Sequence, residues 1–313
     1  MKVDEVKKIA VLGAGTMGPG LAQMFAVAGY EVALYSRKAE TLDKAMAMVR
    51  ANLATVVGHG KLSRAAADTA VARIRPTQSV EEAAKDADFV METIAENKDA
   101  KTHLYAELDT LCPERTVIAS NTSSLNVFEL LPAGRQARSV CAHFFTPAHI
   151  IPLVEVVPGP ETAPETVALA VALMQACDKS PVVMKKLGPG FIVNRIQRAI
   201  GETAMDMIQE GLVEPEEIDS AIKLSLGIRL PIVGVMQTFD FQGLDMLLAY
   251  QKNVGKVYSF VEERVERGAV GAKAGRGIYD YQGRSEVEIL KKRDELYLKM
   301  LDYLREIGAF EPV

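Results

Sequence analysis

The chain of 313 residues is short of the side chains that several common chemistries require. It has four histidines (His59, His103, His143 and His149) and three cysteines (Cys112, Cys141 and Cys177), with no paired or metal-like spacing among them. Zinc enzymes built on His/Cys clusters are therefore excluded and no metal site is expected. The odd, unpaired cysteine set points to a reduced, cytoplasmic setting. No run of about 18 or more apolar residues occurs, so no membrane span is expected. The charged N-terminus, Met1 to Lys8, does not read as a secretory leader. Positive charge is not in excess: 36 Lys+Arg against 41 Asp+Glu give a net charge of −5. That balance argues against gross binding to nucleic acid or a membrane surface, which needs a basic field. Internal repeats and low-complexity tracts are absent.

What remains is an ordinary globular composition, 49% hydrophobic and 25% charged, over a length that suits two domains. The first part alternates short β-branched runs with longer helical patterns. Strands are predicted at Lys8–Leu12, Glu31–Tyr35, Asp88–Thr93, Thr116–Ala119, Ser139–Phe144 and Leu153–Val157, with a last one at Pro181–Met184. Helices are predicted over Met17–Ala28 and Ala39–Val57. This rhythm predicts a Rossmann-type α/β domain, its mostly parallel sheet covered on both faces. From Phe191 onward long helical patterns take over, at 191–210, 215–226, 240–253, 256–267 and 285–307. Gly188-Pro-Gly190 marks the change, so the predicted division is residues 1–187 as the α/β domain and 188–313 as an all-α domain.

Three places can carry chemistry. Gly13-Ala-Gly15-Thr16-Met17-Gly18 lies between a predicted strand and a predicted helix, the setting in which G-x-G-x-x-G binds a dinucleotide. The first glycine permits the tight turn, the second lets a pyrophosphate approach, and the third lets the helix pack close. The second strand then ends in Ser36-Arg37-Lys38 rather than in a carboxylate. A hydroxyl followed by two cations would attract the 2′-phosphate that an acid would repel, which favours NADP over NAD. The alternative is that Arg37 and Lys38 form a solvated turn.

His143 and Glu155 lie inside apolar β runs, where a charge is costly unless it is paired. A buried glutamate on one ring nitrogen would fix the tautomer and leave the other nitrogen to exchange a proton with substrate. The bland alternative is a satisfied core histidine beside a strand-end glutamate. Ser120-Asn-Thr-Ser123-Ser124 follows a strand at the sheet's carboxyl edge, where a hydroxyl can bond a substrate oxygen or cap a helix starting near Leu125. Asn194 opens the long helix after Gly190.

Together these residues resemble the L-3-hydroxyacyl-CoA dehydrogenase family. The carriers are Gly13–Gly18, Glu96-Asn97 with Lys101, Ser120–Ser124, His143-Phe-Phe with Pro147, Leu153-Val-Glu155-Val, Gly190-Phe-Ile-Val-Asn194-Arg195, Asp240-Phe-Gln-Gly-Leu-Asp245 and Lys273-Ala-Gly-Arg-Gly-Ile-Tyr-Asp-Tyr281. The resemblance implies a Rossmann-type domain, a helical domain that dimerises, and a substrate cleft between them. It implies His143 as general acid/base with Glu155 as its partner, and Ser123 and Asn194 holding the reacting oxygen and the histidine. Glu96, Lys101 and Lys273 would line the nicotinamide end of the cofactor. The implied substrate is a short-chain acyl-CoA thioester.

The departures are as informative. Ser36 stands where the family usually has aspartate, and Thr146 where it usually has asparagine. The lysines that relatives present to CoA phosphates thin out to Lys61 and Arg64. Pro231-Ile-Val-Gly234 replaces a turn motif of the helical domain, and the helix at 285–307 extends past Tyr281. Such extensions also occur in relatives that oxidise free 3-hydroxy acids, such as carnitine and gulonate dehydrogenases. A free-acid dehydrogenase is therefore the alternative within the same chemistry. A non-catalytic cofactor-binding protein and a dehydrogenase of imines or amines are the remoter ones.

Overall fold

The computed structural model describes residues 1–311, and the chain packs as two units, Met1–Ala199 and Ile200–Val313. Among the described residues the strands are β1 Lys8–Leu12, β2 Glu31–Tyr35, β3 Ile74–Thr77, β4 Phe89–Glu92, β5 Val117–Ser120, β6 Ser139–Phe144, β7 Leu153–Pro158 and β8 Ser180–Val183. The α-helices of the first unit are α1 Gly18–Val27, α2 Ala39–Gly58, α3 Arg64–Ala72, α4 Val80–Ala84, α5 Lys98–Leu111, α6 Ala133–Gln136 and α7 Pro164–Ala176. Helix α8, Val193–Gln209, carries the boundary between the units. The second unit continues with α9 Pro215–Leu224, α10 Leu226–Gln242, α11 Leu244–Asn253, α12 Ser259–Glu266 and α13 Glu286–Glu306. No helix among the described residues is long and apolar enough to cross a membrane.

The first unit is a single sheet of order β3-β2-β1-β4-β5-β6-β7-β8. All neighbours are parallel except β6 and β7. The order 3-2-1-4-5-6 within it is the Rossmann arrangement. Because side chains alternate along a strand, each strand feeds two cores. Ile9, Val11, Phe89 and Met91 pack under α1, α2 and α7, whereas Ala10, Leu12, Val90 and Ile118 pack under α4 and α5. By the same alternation Glu92, Ser120, Cys141, His143 and Glu155 all project from the α5 face. Register makes that face a row: Glu92 opposes Ser120, Ser120 opposes Cys141, and His143 opposes Glu155.

The second unit is helical and is anchored on one buried carboxylate. Asp240, 1% exposed, accepts from the N–H groups of Ile278 and Tyr279 and from the Tyr281 hydroxyl. A Cβ on Gly271 or Gly277 would strike Asp240, so these close approaches require glycine.

Three features differ from the sequence reading. Strand β3 was not expected, since Ile74-Arg-Pro-Thr77 is short and holds a proline; its place at the sheet edge makes Pro76 acceptable. Helix α10 covers a stretch read as a turn, and Pro231 lies inside it. The break is at Gly234, whose φ of 64° interrupts the helix. No α-helix begins near Leu125; a single 3-10 turn, Val127–Glu129, stands there. The first unit packs as far as Ala199, within α8. Phe191 is buried in the α5-side core, and the N–H groups of Ile192 and Val193 are bonded to Glu155.

Candidate active site

Between β1 and α1 the chain turns through Gly13–Gly18. Gly13 has φ of 122°, where a Cβ would strike the Thr93 carbonyl, and a Cβ on Gly18 would strike the Gly13 carbonyl. Both positions demand glycine. A Cβ on Gly15 would meet nothing within 4 Å, so this point of the turn is open to an approaching phosphate. The first turn of α1 has no acidic residue and its cap makes no side-chain bond, leaving its N–H groups for an anion. Thr16 is exposed beside them. The residues present thus fit a dinucleotide.

On one side of the turn a groove of about 1020 Å³ is lined by Gly13, Gly15, Ser36, Arg37, Val80 and His103, among others. The tip of β2 is held from its main chain. The Lys38 N–H donates to Ser36 Oγ at 3.4 Å, and Gln78 Nε2 donates to the Arg37 carbonyl at 3.0 Å. The Arg37 and Lys38 side chains are left exposed. On the other side a groove of about 1000 Å³ is lined by Thr16, Lys44, Asn52, Thr146 and His149. Thr146 Oγ1 donates to Met17 Sδ at 3.0 Å.

The antiparallel pairing of β6 and β7 sets His143 directly opposite Glu155. His143 Nδ1 is 2.7 Å from Glu155 Oε2; the histidine is 5% exposed and the glutamate 0%. The second carboxylate oxygen, Oε1, accepts from the N–H of Ile192 and of Val193, both at 2.9 Å, where α8 begins. Burial alone would raise the Glu155 carboxyl. The bonds from His143, Val193 and Ile192 outweigh it and hold the group below its ordinary range. An ionised Glu155 makes Nδ1 the protonated nitrogen and leaves Nε2 to exchange a proton. Phe145 and Phe191 pack edge-on to the imidazole, at 4.6 and 5.3 Å between ring centres.

A second buried carboxylate lies along the same face. Glu92 Oε1 accepts from Lys101 Nζ at 2.6 Å and from the Ile94 N–H at 2.8 Å. Its Oε2 accepts from Lys101 Nζ at 2.8 Å, Tyr105 OH at 2.7 Å and Ser120 Oγ at 2.6 Å. Lys101 is 1% exposed and also lies 3.4 Å from Glu96 Oε2. Glu96 Oε1 in turn accepts from Thr122 Oγ1 at 2.7 Å, the Ser123 N–H at 2.8 Å and Ser123 Oγ at 3.2 Å. Burial would raise Glu96, but its bonds from Thr122 and Ser123 and the Lys101 charge lower it on balance.

The structure therefore joins His143 with Glu155 and the start of α8, where Asn194 is half-buried. It joins Glu96, Lys101 and Ser123 in one network, and Gly13–Gly15 with Ser36 and Arg37 around one groove. Lys273 belongs to the second unit, where both Asp245 carboxylate oxygens hold its ammonium at 2.7 Å. With no helix at Leu125 to cap, Thr122 closes the turn instead, its Oγ1 accepting from the N–H of Ser124 and Leu125. Glu92 and Tyr105 were missed, and Ser120, read as the start of a hydroxyl-bearing edge, turns inward to Glu92. The available signal was an acid closing the apolar run Phe89-Val-Met and a tyrosine four residues after Lys101, on the same helical face.

Comparison with known proteins gives this geometry its class. Residues 8–187 match the model described as 3-hydroxyacyl-CoA dehydrogenase, NAD binding domain, and residues 190–281 match 3-hydroxyacyl-CoA dehydrogenase, C-terminal domain. The molecule is an oxidoreductase with a Rossmann-type domain for a nicotinamide cofactor. It belongs to the 3-hydroxyacyl-CoA dehydrogenase family. A probable 3-hydroxybutyryl-CoA dehydrogenase of Bacillus subtilis is 36% identical over 290 residues, covering 90% of this chain and 99% of the relative. An L-carnitine dehydrogenase of Streptomyces griseus is 32% identical over 316 residues, covering 97% and 91%. Among solved structures, a 3-hydroxyacyl-CoA dehydrogenase of Archaeoglobus fulgidus aligns with a TM-score of 0.80 at 29% identity, covering 96% of this chain and 99% of that one.

Proposed function

We propose that the protein transfers a hydride reversibly between a nicotinamide cofactor and C3 of a short-chain L-3-hydroxyacyl-CoA. The observation that carries this reading is the His143–Glu155 pair, buried and joined through Glu155 Oε1 to the main chain of α8. In oxidation His143 Nε2 takes the hydroxyl proton, and Glu155 stabilises the imidazolium that forms; in reduction the same nitrogen returns the proton. Ser123 Oγ and Asn194 hold the reacting oxygen. Glu96, whose side chain is 37% exposed, faces the nicotinamide end with Lys101 behind it. When bound, the nicotinamide supplies or accepts the hydride. Gly13–Gly18 and the first turn of α1 would hold its pyrophosphate.

The cofactor we infer is NADP, because Ser36 and Arg37 line the groove at the tip of β2, and the carboxylate that lines it, Glu107, comes from α5 rather than from that tip. A second reading, a dehydrogenase of a free 3-hydroxy acid, draws on two observations. The carnitine dehydrogenase match reaches over 97% of the chain, and Lys44 is the one cation lining the groove beside Thr146. One steady-state matrix tests both points: NADH and NADPH, each with acetoacetyl-CoA and with free 3-oxo acids. Higher kcat/KM for NADPH with acetoacetyl-CoA is expected. Preference for NADH sinks the cofactor assignment, and turnover of free acids alone sinks the thioester.

A homodimer through the second unit is part of the same proposal. Ile200, Met205, Leu298 and Tyr303 are exposed on its helices, with Leu212 exposed in the connection after α8, more apolar surface than a lone domain usually shows. Sedimentation at monomer mass would refute it.

A further inference from the structure

Lys179 is a buried cation that the chemistry above leaves unused. It stands between α7 and β8 and is 7% exposed. Its ammonium donates to the carbonyl of Ala148 at 2.7 Å and to that of Ile151 at 2.9 Å. Both carbonyls belong to the connection between β6, which carries His143, and β7, which carries Glu155. Within that connection the N–H groups of Ile150 and Ile151 both close on the Pro147 carbonyl, at 2.9 and 3.0 Å. The outer side of the same turn rests on the cofactor end of the fold. Thr146 bonds Met17, and Ala148 lies 3.4 Å from where a Cβ on Gly20 would be. Thr146, Pro147 and His149 share their groove with Gly15 and Thr16.

An ammonium is an unusual choice for a merely packed position, since burying it costs free energy unless oxygens replace its water. Here two main-chain carbonyls from the two ends of one turn do so. A neutral apolar side chain would leave both without this donor. Its charge also acts on the turn itself: burial, with the Lys179 charge adding to it, holds His149 below its ordinary range.

We propose that Lys179 is a positioning residue for the reaction: by clamping the 147–151 turn it sets where Thr146 and His149 stand beside the glycine turn. This rests on the reading that His143 works at a nicotinamide site. Misplacement of a distant support by an ångström can cost on the order of 100-fold in rate.

The test uses the full chain with Lys179→Met and Lys179→Arg, beside His143→Gln. In Lys179→Met, hydrogen exchange at the Ile150 and Ile151 amides should quicken about tenfold or more, while the β6–β7 ladder amides keep their protection. The dissociation constant of the reduced dinucleotide, read by fluorescence, should rise about tenfold, and kcat should fall about 10- to 100-fold. Lys179→Arg, which keeps charge and donors, should recover most of each loss. Unchanged exchange at the turn overturns the proposal, and so does faster exchange with wild-type cofactor affinity and kcat. If His143→Gln retains full turnover, the catalytic reading fails instead, and the exchange and affinity measurements still decide the role of Lys179. Should Lys179→Met not fold, Lys179→Gln carries the same comparison.

Discussion

Glu92 and Glu155 are both 0% exposed and project from the same face of one sheet, on β4 and β7 with β5 and β6 between them. Glu92 faces a lysine, a tyrosine, a serine and a main-chain N–H. All four donate to it, Lys101 to both oxygens. Glu155 faces two main-chain N–H groups and a histidine. A lysine that satisfies a buried carboxylate has finished its work. A histidine that does the same keeps a second nitrogen, and its protonation becomes available to a substrate. The contrast teaches that the partner, more than burial, separates a scaffold from the proposed catalytic pair.

The largest effect that sharpens this contrast is His143→Gln. The amide can still bond Glu155, so the fold should hold, while kcat falls about 10²- to 10⁴-fold with cofactor affinity unchanged. Retained turnover would break the comparison at its root. The pair also has a pH signature. The folded-state Glu155 carboxyl lies below its ordinary 4.5, so its stabilising contribution is fully present above that value. It is lost as pH falls through the lower folded value. Denaturation across the acid range should show this loss in the wild type and a shallower one in Glu155→Gln. Identical acid limbs would mean that the carboxylate is not held by its partners.

Lys101→Met is the converse experiment. It strands Glu92 as a buried charge without its counter-ion, which costs about 3–5 kcal/mol of stability. Chemical denaturation should therefore show a loss well above that of His143→Gln, and the fraction that stays folded should keep more of its kcat than His143→Gln does. Should Lys101→Met lose kcat as steeply while keeping its stability, Lys101 would belong with the reacting groups rather than behind Glu96.

How far the sequence discloses these centres follows from the range of the interactions. Strands β1, β2 and β6 are readable to the residue because each is an apolar run with sharp polar or glycine edges. The glycine turn is readable because its three roles lie within six positions, Gly13–Gly18. His143 and Glu155 are readable because two charged types interrupt neighbouring apolar runs. The Glu92 network is not, since its members sit on β4, α5 and β5 and are set by strand register and helix placement rather than by periodicity. Lys179 reaches across 31 residues to Ala148, and nothing in Asp178-Lys-Ser180 announces it. Helix α10 hides for a local reason: Pro231 and Gly234 read as a turn, and tertiary packing continues the helix on both sides of the break.

The smallest change that probes the comparison is Tyr105→Phe. The Tyr105 ring is fully buried and only its hydroxyl reaches Glu92, at 2.7 Å. Burial and then the Glu92 charge push its phenol well above the ordinary range, so it donates as a neutral group at any working pH. Removing one hydrogen bond to a charged group costs about 1.5–3 kcal/mol. Phenylalanine keeps the packing, and Lys101, Ser120 and the Ile94 N–H still satisfy the carboxylate. The loss should sit at the lower end of that range and below that of Lys101→Met, with the pH profile of kcat unmoved. A displaced pH profile would show that the Glu92 network is coupled to the proposed catalytic pair across β5 and β6.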